Sequence, residues 1–142
     1  SNYARPGFES RHNRSYWTGQ NYWGLGVSAH SLQREGDRIR RFWHPRSLRA
    51  YVDGLSAPGR SLEEEKLSVD RHFRERVMTG LRQTQGLDVA ALASEWDLSI
   101  PRDVQDALDR WIAQGALLRE GDRVRLSEAG ILVSDTVFSD LF

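Results

Sequence analysis

With 142 residues, 39% of them hydrophobic and 28% charged, the chain can build one ordinary core or two small ones, and its composition is that of a globular rather than a disordered or fibrous protein. No apolar run approaches the length of a membrane span or a signal-peptide core, and the lack of cysteine excludes disulfides and any cysteine-ligated iron–sulfur cluster held by this chain. The formal net charge of zero conceals a split, because residues 1–60 carry ten Lys+Arg against four Asp+Glu while residues 61–142 carry ten against sixteen. The basic part also holds nine of the fourteen aromatics and three of the four histidines, which implies two units with different jobs.

In chain order, residues 1–7 read as a strand end or extended loop entering a turn at Arg5-Pro6-Gly7. Residues 10–30 follow, a stretch dense in Arg11, His12, Arg14, Tyr16, Trp17, Tyr22, Trp23 and His30. Its first half has no clean alternation and reads mostly as loop, with room for one helical turn. Tyr22 to His30 is short and apolar, with Gly24 and Gly26 where a backbone can come close to a flat ligand, and reads as a buried strand. Its edge is expected to be unpaired and prone to association. Gln33 to Trp43 reads as a hairpin turning at Glu35-Gly36-Asp37, and Pro45 starts a helix over Arg46 to Asp53 with Leu48, Tyr51 and Val52 on one face.

Gly54 to Arg60 is the expected linker, so the boundary falls between residues 1–60 and 61–142. Ser61 and Glu64 fit a capping box opening a helix that runs to about Arg82, with Glu63 to Glu65 as its acidic first turn. His72 reads as a surface residue of that helix. Val89 to Trp96 and Pro101 to Gln114 predict two further helices, Glu120-Gly121-Asp122 the turn of a hairpin, and Ser127 to Leu141 a closing helix. Helices followed by a two-stranded wing and a closing helix make the winged-helix pattern. Such a unit invites nucleic acid as a partner, but Pro101 to Gln114 sets Arg102 and Arg110 against Asp103, Asp106 and Asp109, which repels phosphate more than it attracts it.

His12, Asn13, Tyr16 and Trp17 fall on an HNxxYW pattern. With the surrounding SNYARPGFESRHNRSYW segment and the closing run Val137 to Phe142, they make the chain resemble the C-terminal portion of the oxygen-independent coproporphyrinogen III oxidase-like proteins of the radical S-adenosylmethionine superfamily, the HemW haem chaperones. The resemblance implies an α+β chain. Terminal strand and helix elements of a partial (β/α) barrel (1–60) would be followed by a HemN-type, winged-helix-like C-terminal domain (61–142). It implies a parent whose remaining barrel strands, S-adenosylmethionine site and [4Fe–4S] cluster, on a CxxxCxxC loop, lie outside this chain. This segment alone is then expected to be catalytically silent.

By the same resemblance, haem or another porphyrin is the ligand, a haem-acceptor protein the partner and the cytoplasm the compartment. Arg11, His12, Asn13, Tyr16 and Trp17 are the candidate haem-binding residues. His12 is the candidate axial ligand and Asn13 a loop-holding side chain. Gly24, Gly26, Ser28, Ala29 and His30 are the candidate cofactor-proximal strand, and Arg38, Arg40 and Arg41 are set down as a solvated face or as propionate partners. Val27-Ser28-Ala29 resembles the strand of the true coproporphyrinogen oxidases, so oxidative decarboxylation of propionates is the alternative activity. A winged-helix interaction module without chemistry is the other alternative.

Overall fold

The computed structural model describes residues 4–56 and 62–142. It is a mixed α and β structure with two small antiparallel sheets, dividing into two compact units, Ser1–Val69 and Asp70–Phe142.

The first unit begins with α1 (Arg11–Trp17), where mostly loop was expected. Its start is set by Ser10, whose hydroxyl accepts the Asn13 N–H at 3.3 Å, and its end by Gly19 in the left-handed region at φ +62°. A three-stranded sheet follows, from β1 (His30–Glu35), β2 (Arg38–Trp43) and β3 (Glu63–Leu67), with β2 in the centre. The β1–β2 hairpin turns through Gly36 and Asp37 as its sequence demands, Gly36 taking φ +57°. Between the hairpin and β3 lies α2 (Leu48–Ser56), two residues later than predicted because the Ser47 hydroxyl takes the Ala50 N–H at 3.4 Å. Leu48 and Val52 of its apolar face are exposed.

Further expectations for this unit are corrected. Tyr22 to His30 is not a strand: only Tyr22 makes a bridge, to Leu32, and the chain loops through Ser28 at φ +60° before β1 begins at His30. The unpaired edge expected of that strand loses its basis. Residues 63–67 are β3 rather than the first turns of a helix, and α3 (Val69–Leu81) starts only afterwards. Ser61, the expected cap, and Ala57 to Arg60 of the expected linker lie outside the described residues, as do the first residues of the 1–7 segment. The physical reason for β3 is its partner. Arg40 and Arg41 of β2 stand opposite Lys66 and Glu65 in register, with Arg40 also 3.6 Å from Glu64 and Arg41 3.7 Å from Glu65. Cross-strand attraction of an acidic run for a basic strand outweighs the helix propensity of Glu-Glu-Glu. Those arginines are therefore not a bare solvated face.

The second unit contains α3 from Asp70 onward, β4 (Leu87–Asp88), α4 (Val89–Ser94), α5 (Arg102–Ala113), β5 (Leu117–Glu120), β6 (Arg123–Leu126), α6 (Glu128–Leu132) and α7 (Ser134–Ser139). Its sheet runs β4–β6–β5. Asp88 ends β4 and caps α4, its carboxylate accepting the Ala91 N–H at 2.8 Å. The apolar faces of α3, α4, α5 and α7 converge on one core that includes Phe73, Val77, Leu81, Leu92, Val104, Leu108, Leu117 and Val137. The expected single closing helix is two, α6 and α7, broken at Val133. Gly130 explains the placement of the first: a Cβ there would collide with the Ala116 carbonyl, so the helix lies directly on the backbone leading into β5. His72, expected at the surface, is 2% exposed and packs edge-on to Trp96 at 5.3 Å, because the buried face of α3 is wide enough to take in the residue beside Phe73.

Candidate functional site

α1 places residues four apart on one side, and this brings His12 and Tyr16 together. The Tyr16 hydroxyl lies 3.1 Å from His12 Nε2, with the rings edge-on at 5.1 Å between centroids and 87° between planes. Tyr16 in turn meets the Tyr22 ring at 4.5 Å and 70°. Tyr22 is fixed to the sheet by its backbone, since its N–H donates to the Leu32 carbonyl and its carbonyl accepts the Leu32 N–H, each at 3.0 Å. The HNxxYW signature is thus a short helix tethered through one tyrosine to β1. His12 and Tyr16 remain exposed, and Asn13 and Trp17 are half-buried. The cap at Asn13 uses the Ser10 hydroxyl and the Asn13 backbone.

Arg11 and Arg14 give this helix a basic surface. The nearest acid in sequence, Glu9, turns back on its own loop: its carboxylate is held below the ordinary range chiefly by its own backbone N–H, then by that of Gly7, with Arg14 adding a smaller attraction.

β1 carries the second group. Directly opposed residues share a sheet face, so His30, Trp43 and Glu63 form one row across the three strands. The His30 ring stacks on Trp43 at 5.3 Å and 27°, and the indole N–H donates to Glu63 at 2.8 Å. Leu32 is two residues along β1 from His30, and Tyr22 is bridged to Leu32. Through Tyr22, the signature helix and the His30 row are therefore tied to the same strand.

Gly24, Gly26, Ser28 and Ala29 lie in the loop before β1. The close approach at Gly24 is to the chain itself, because a Cβ there would strike the His30 carbonyl. Its N–H donates to the buried Ser31 hydroxyl at 3.0 Å. Ser28 N–H donates to the Pro45 carbonyl, and Ala29 accepts from His44 N–H at 3.0 Å, so the loop is stitched to the end of β2. Gly26, at φ +110°, has open space where a side chain would be. Trp23 and Leu25, on either side of Gly24, are exposed, and Trp23 packs edge-on to Phe42 at 5.2 Å.

Two contributors were not among the candidate site residues, although Tyr22 lies in the aromatic stretch 10–30. Tyr22 completes the ring cluster, and its signal was a glycine between it and the helix that carries Tyr16. Glu63 orients Trp43, and no local signal marks it, since twenty residues separate them. Among the described residues no group of three or more His, Cys, Asp or Glu could hold a metal ion, and no helix is long and apolar enough to cross a membrane. The His12 and His30 imidazoles are both exposed.

Residues 67–133 match the family described as the HemN C-terminal domain. Curated relatives named "Heme chaperone HemW" align over nearly all of the chain: that of Mycobacterium tuberculosis strain H37Rv is 33% identical over 99% of this chain and 33% of its own length. The chain is similar over nearly its whole length to HemW proteins, and over residues 67–133 to the HemN C-terminal domain. HemW of Lactococcus lactis is 28% identical over 97% of this chain and 35% of its own length, and HemW of Bacillus subtilis 26% identical over 97% and 36%. The chain spans about a third of the length of these HemW relatives. A solved structure, that of coproporphyrinogen III oxidase HemN from Escherichia coli, a radical SAM enzyme, shares the fold with a TM-score of 0.61 at 21% identity, covering 86% of this chain and 28% of HemN.

Proposed function

We propose that this chain is the C-terminal part of a HemW-like haem chaperone and that haem, or a related porphyrin, meets it at α1. The observation that carries this reading is the exposed imidazole of His12 set by Tyr16 and Tyr22 on a helix bearing Arg11 and Arg14. An imidazole suits ferric or ferrous iron, arginines suit propionate carboxylates, and Trp17 offers a further ring to the macrocycle. Asn13 sits on the same helix between them. The loop of Gly24, Gly26, Ser28 and Ala29 leads to His30, the second exposed imidazole of this unit.

In this reading the parent protein binds S-adenosylmethionine and a [4Fe–4S] cluster through residues outside this chain, since no cysteine is available within it. Haem passes from the parent to an acceptor protein in the cytoplasm. The second unit, whose order of helices and hairpin fits a winged helix, serves as a packing and docking domain. Its α5 has Asp103 and Asp109 paired with Arg74 and Arg119, and Arg110 paired with Asp140. That pattern uses charge for internal ties more than for phosphate. Coproporphyrinogen decarboxylation is the weaker reading, because the relatives that align over nearly the whole chain are named haem chaperones.

Haemin titration followed by absorbance tests the proposal on the chain and on its His12→Ala and His30→Ala variants. The expected result is saturable binding that His12→Ala loses, by more than the roughly tenfold that removal of a mere supporting group costs a metal site. Equal binding by the wild type and both folded variants, or no saturable binding at all, would overturn it.

A further inference from the structure

His12 has two ring nitrogens, and the fold commits one of them. Nε2 lies 3.1 Å from the Tyr16 hydroxyl. If Nδ1 carries the proton, the lone pair of Nε2 accepts from the phenol; if Nε2 carries it, Nε2–H donates to the phenol oxygen. In both tautomers the hydrogen bond fills the Nε2 position, which then cannot also face a metal.

The partner is held in place as well. The Tyr16 ring stands edge-on to His12 on one side and against Tyr22 on the other, with centroids 5.1 and 4.5 Å away. Tyr22 is clamped to Leu32 by two backbone hydrogen bonds. The backbone under His12 is braced too, its carbonyl accepting the Ser15 hydroxyl at 2.6 Å.

That leaves Nδ1, which has a lone pair only in the tautomer whose Nε2–H donates. A metal-binding histidine generally gives its second N–H to an acceptor that fixes the ring and raises its basicity. Here a phenol oxygen stands at that place. We propose that Tyr16 is a positioning residue for His12: it accepts the Nε2 proton, locks the imidazole edge-on against the Tyr16–Tyr22 pair, and presents Nδ1 to the iron of an incoming haem. This rests on the reading of His12 as the ligand, and the test separates the two claims.

Three measurements on the full chain decide it. Nitrogen-15 NMR of the haem-free protein reports the His12 tautomer directly, and Nε2–H should predominate. Haemin titration of Tyr16→Phe, which keeps the ring contacts and removes only the hydroxyl, should show affinity about 10–100-fold weaker with an altered electron paramagnetic resonance signature of the bound ferric haem. His12→Ala should lose the same binding. If His12→Ala loses binding while Tyr16→Phe binds haemin as the wild type or more tightly, Tyr16 is not the positioning residue although His12 is the ligand. If His12→Ala binds unchanged, the underlying reading fails and this inference with it. A free chain whose His12 is mainly the Nδ1–H tautomer also overturns the assignment of Nδ1.

Discussion

In the second unit Phe73, Val77, Val104 and Val137 have no accessible surface at all, whereas in the first unit the buried apolar side chains among the described residues are Leu32, Ile39, Phe42 and Leu67. The first unit compensates with directional contacts. Arginine and glutamate side chains meet across β2 and β3, Phe42 receives the edge of Trp23 and the guanidinium of Arg40 at 5.1 Å, and His30 stacks on Trp43. A unit built this way leaves rings and charges at its surface, which a flat anionic ligand needs, and it holds less apolar material in reserve. A unit built like the second offers little to a ligand and more to stability.

The contrast breaks most visibly under truncation. Phe73→Ala removes a ring from the centre of the second unit and should cost about 3–5 kcal/mol. Val52→Ala, on the exposed side of α2, should cost no more than about 0.5 kcal/mol. Denaturant titration of both variants reads the difference. Comparable costs would mean that α2 is covered in solution and that the first unit is not the thinner of the two.

The legible parts of the fold were those whose cause is local. Gly36 and Gly121 take positive φ in the two hairpin turns, and each turn was visible as Glu-Gly-Asp between strand-like runs. α5 was visible because Pro101 opens it and Val104, Leu108 and Ile112 repeat at helical spacing. The strand β3 was not, because Glu63 to Leu67 becomes a strand only through β2, twenty or more residues away, and read alone it is a good helix start. α1 was legible only as room for a single turn, for the opposite reason: it buries no residue, so it has no apolar stripe and stands on a serine cap and the His12–Tyr16 pair. At the candidate site the signature residues were legible as types, but the contact of Tyr16 with Tyr22 crosses the Gly19 turn and required the structure. The loop at Gly24 to Ala29 misled because two glycines in an apolar run fit a strand and a turning loop equally well, and the positive φ of Ser28 carries no sequence mark.

A smaller effect sharpens the account of the first unit. If opposite charge selects the strand at residues 63–67, reversing it in Glu64→Lys with Glu65→Lys sets lysines against Arg40 and Arg41. The expected loss is about 1 kcal/mol, read as faster hydrogen exchange of the β2 amides. Raising the salt concentration should shrink that loss, because the groups involved are partly exposed and their field is screened. A loss that does not change with salt would mean that packing, not charge, holds β3 to β2.

The second unit has an ionic tie of its own, and its signature is acid dependence. Arg74 reaches Asp103 with two nitrogens, at 2.8 and 3.2 Å, as well as Asp70 at 3.0 Å and the Leu141 carbonyl at 3.0 Å, joining α3 to α5 and to the end of the chain. The hydrogen bond from Arg74 holds the Asp103 carboxyl below its ordinary value, and the same bond pushes Arg74 further up, so Arg74 stays charged throughout the acid range. A carboxyl lowered by folding adds stability that is complete above its unfolded pKa, about 3.9, and is lost as the pH falls through the lower folded value. The contribution should be small because Asp103 is open to solvent. Denaturant midpoints followed from pH 5 downward should therefore fall slightly less steeply in Asp103→Asn than in the wild type, because the variant has already lost the ionised partner at pH 5. Identical slopes would place the acid sensitivity of this unit at other carboxylates and leave Arg74 tied mainly through Asp70 and the Leu141 carbonyl.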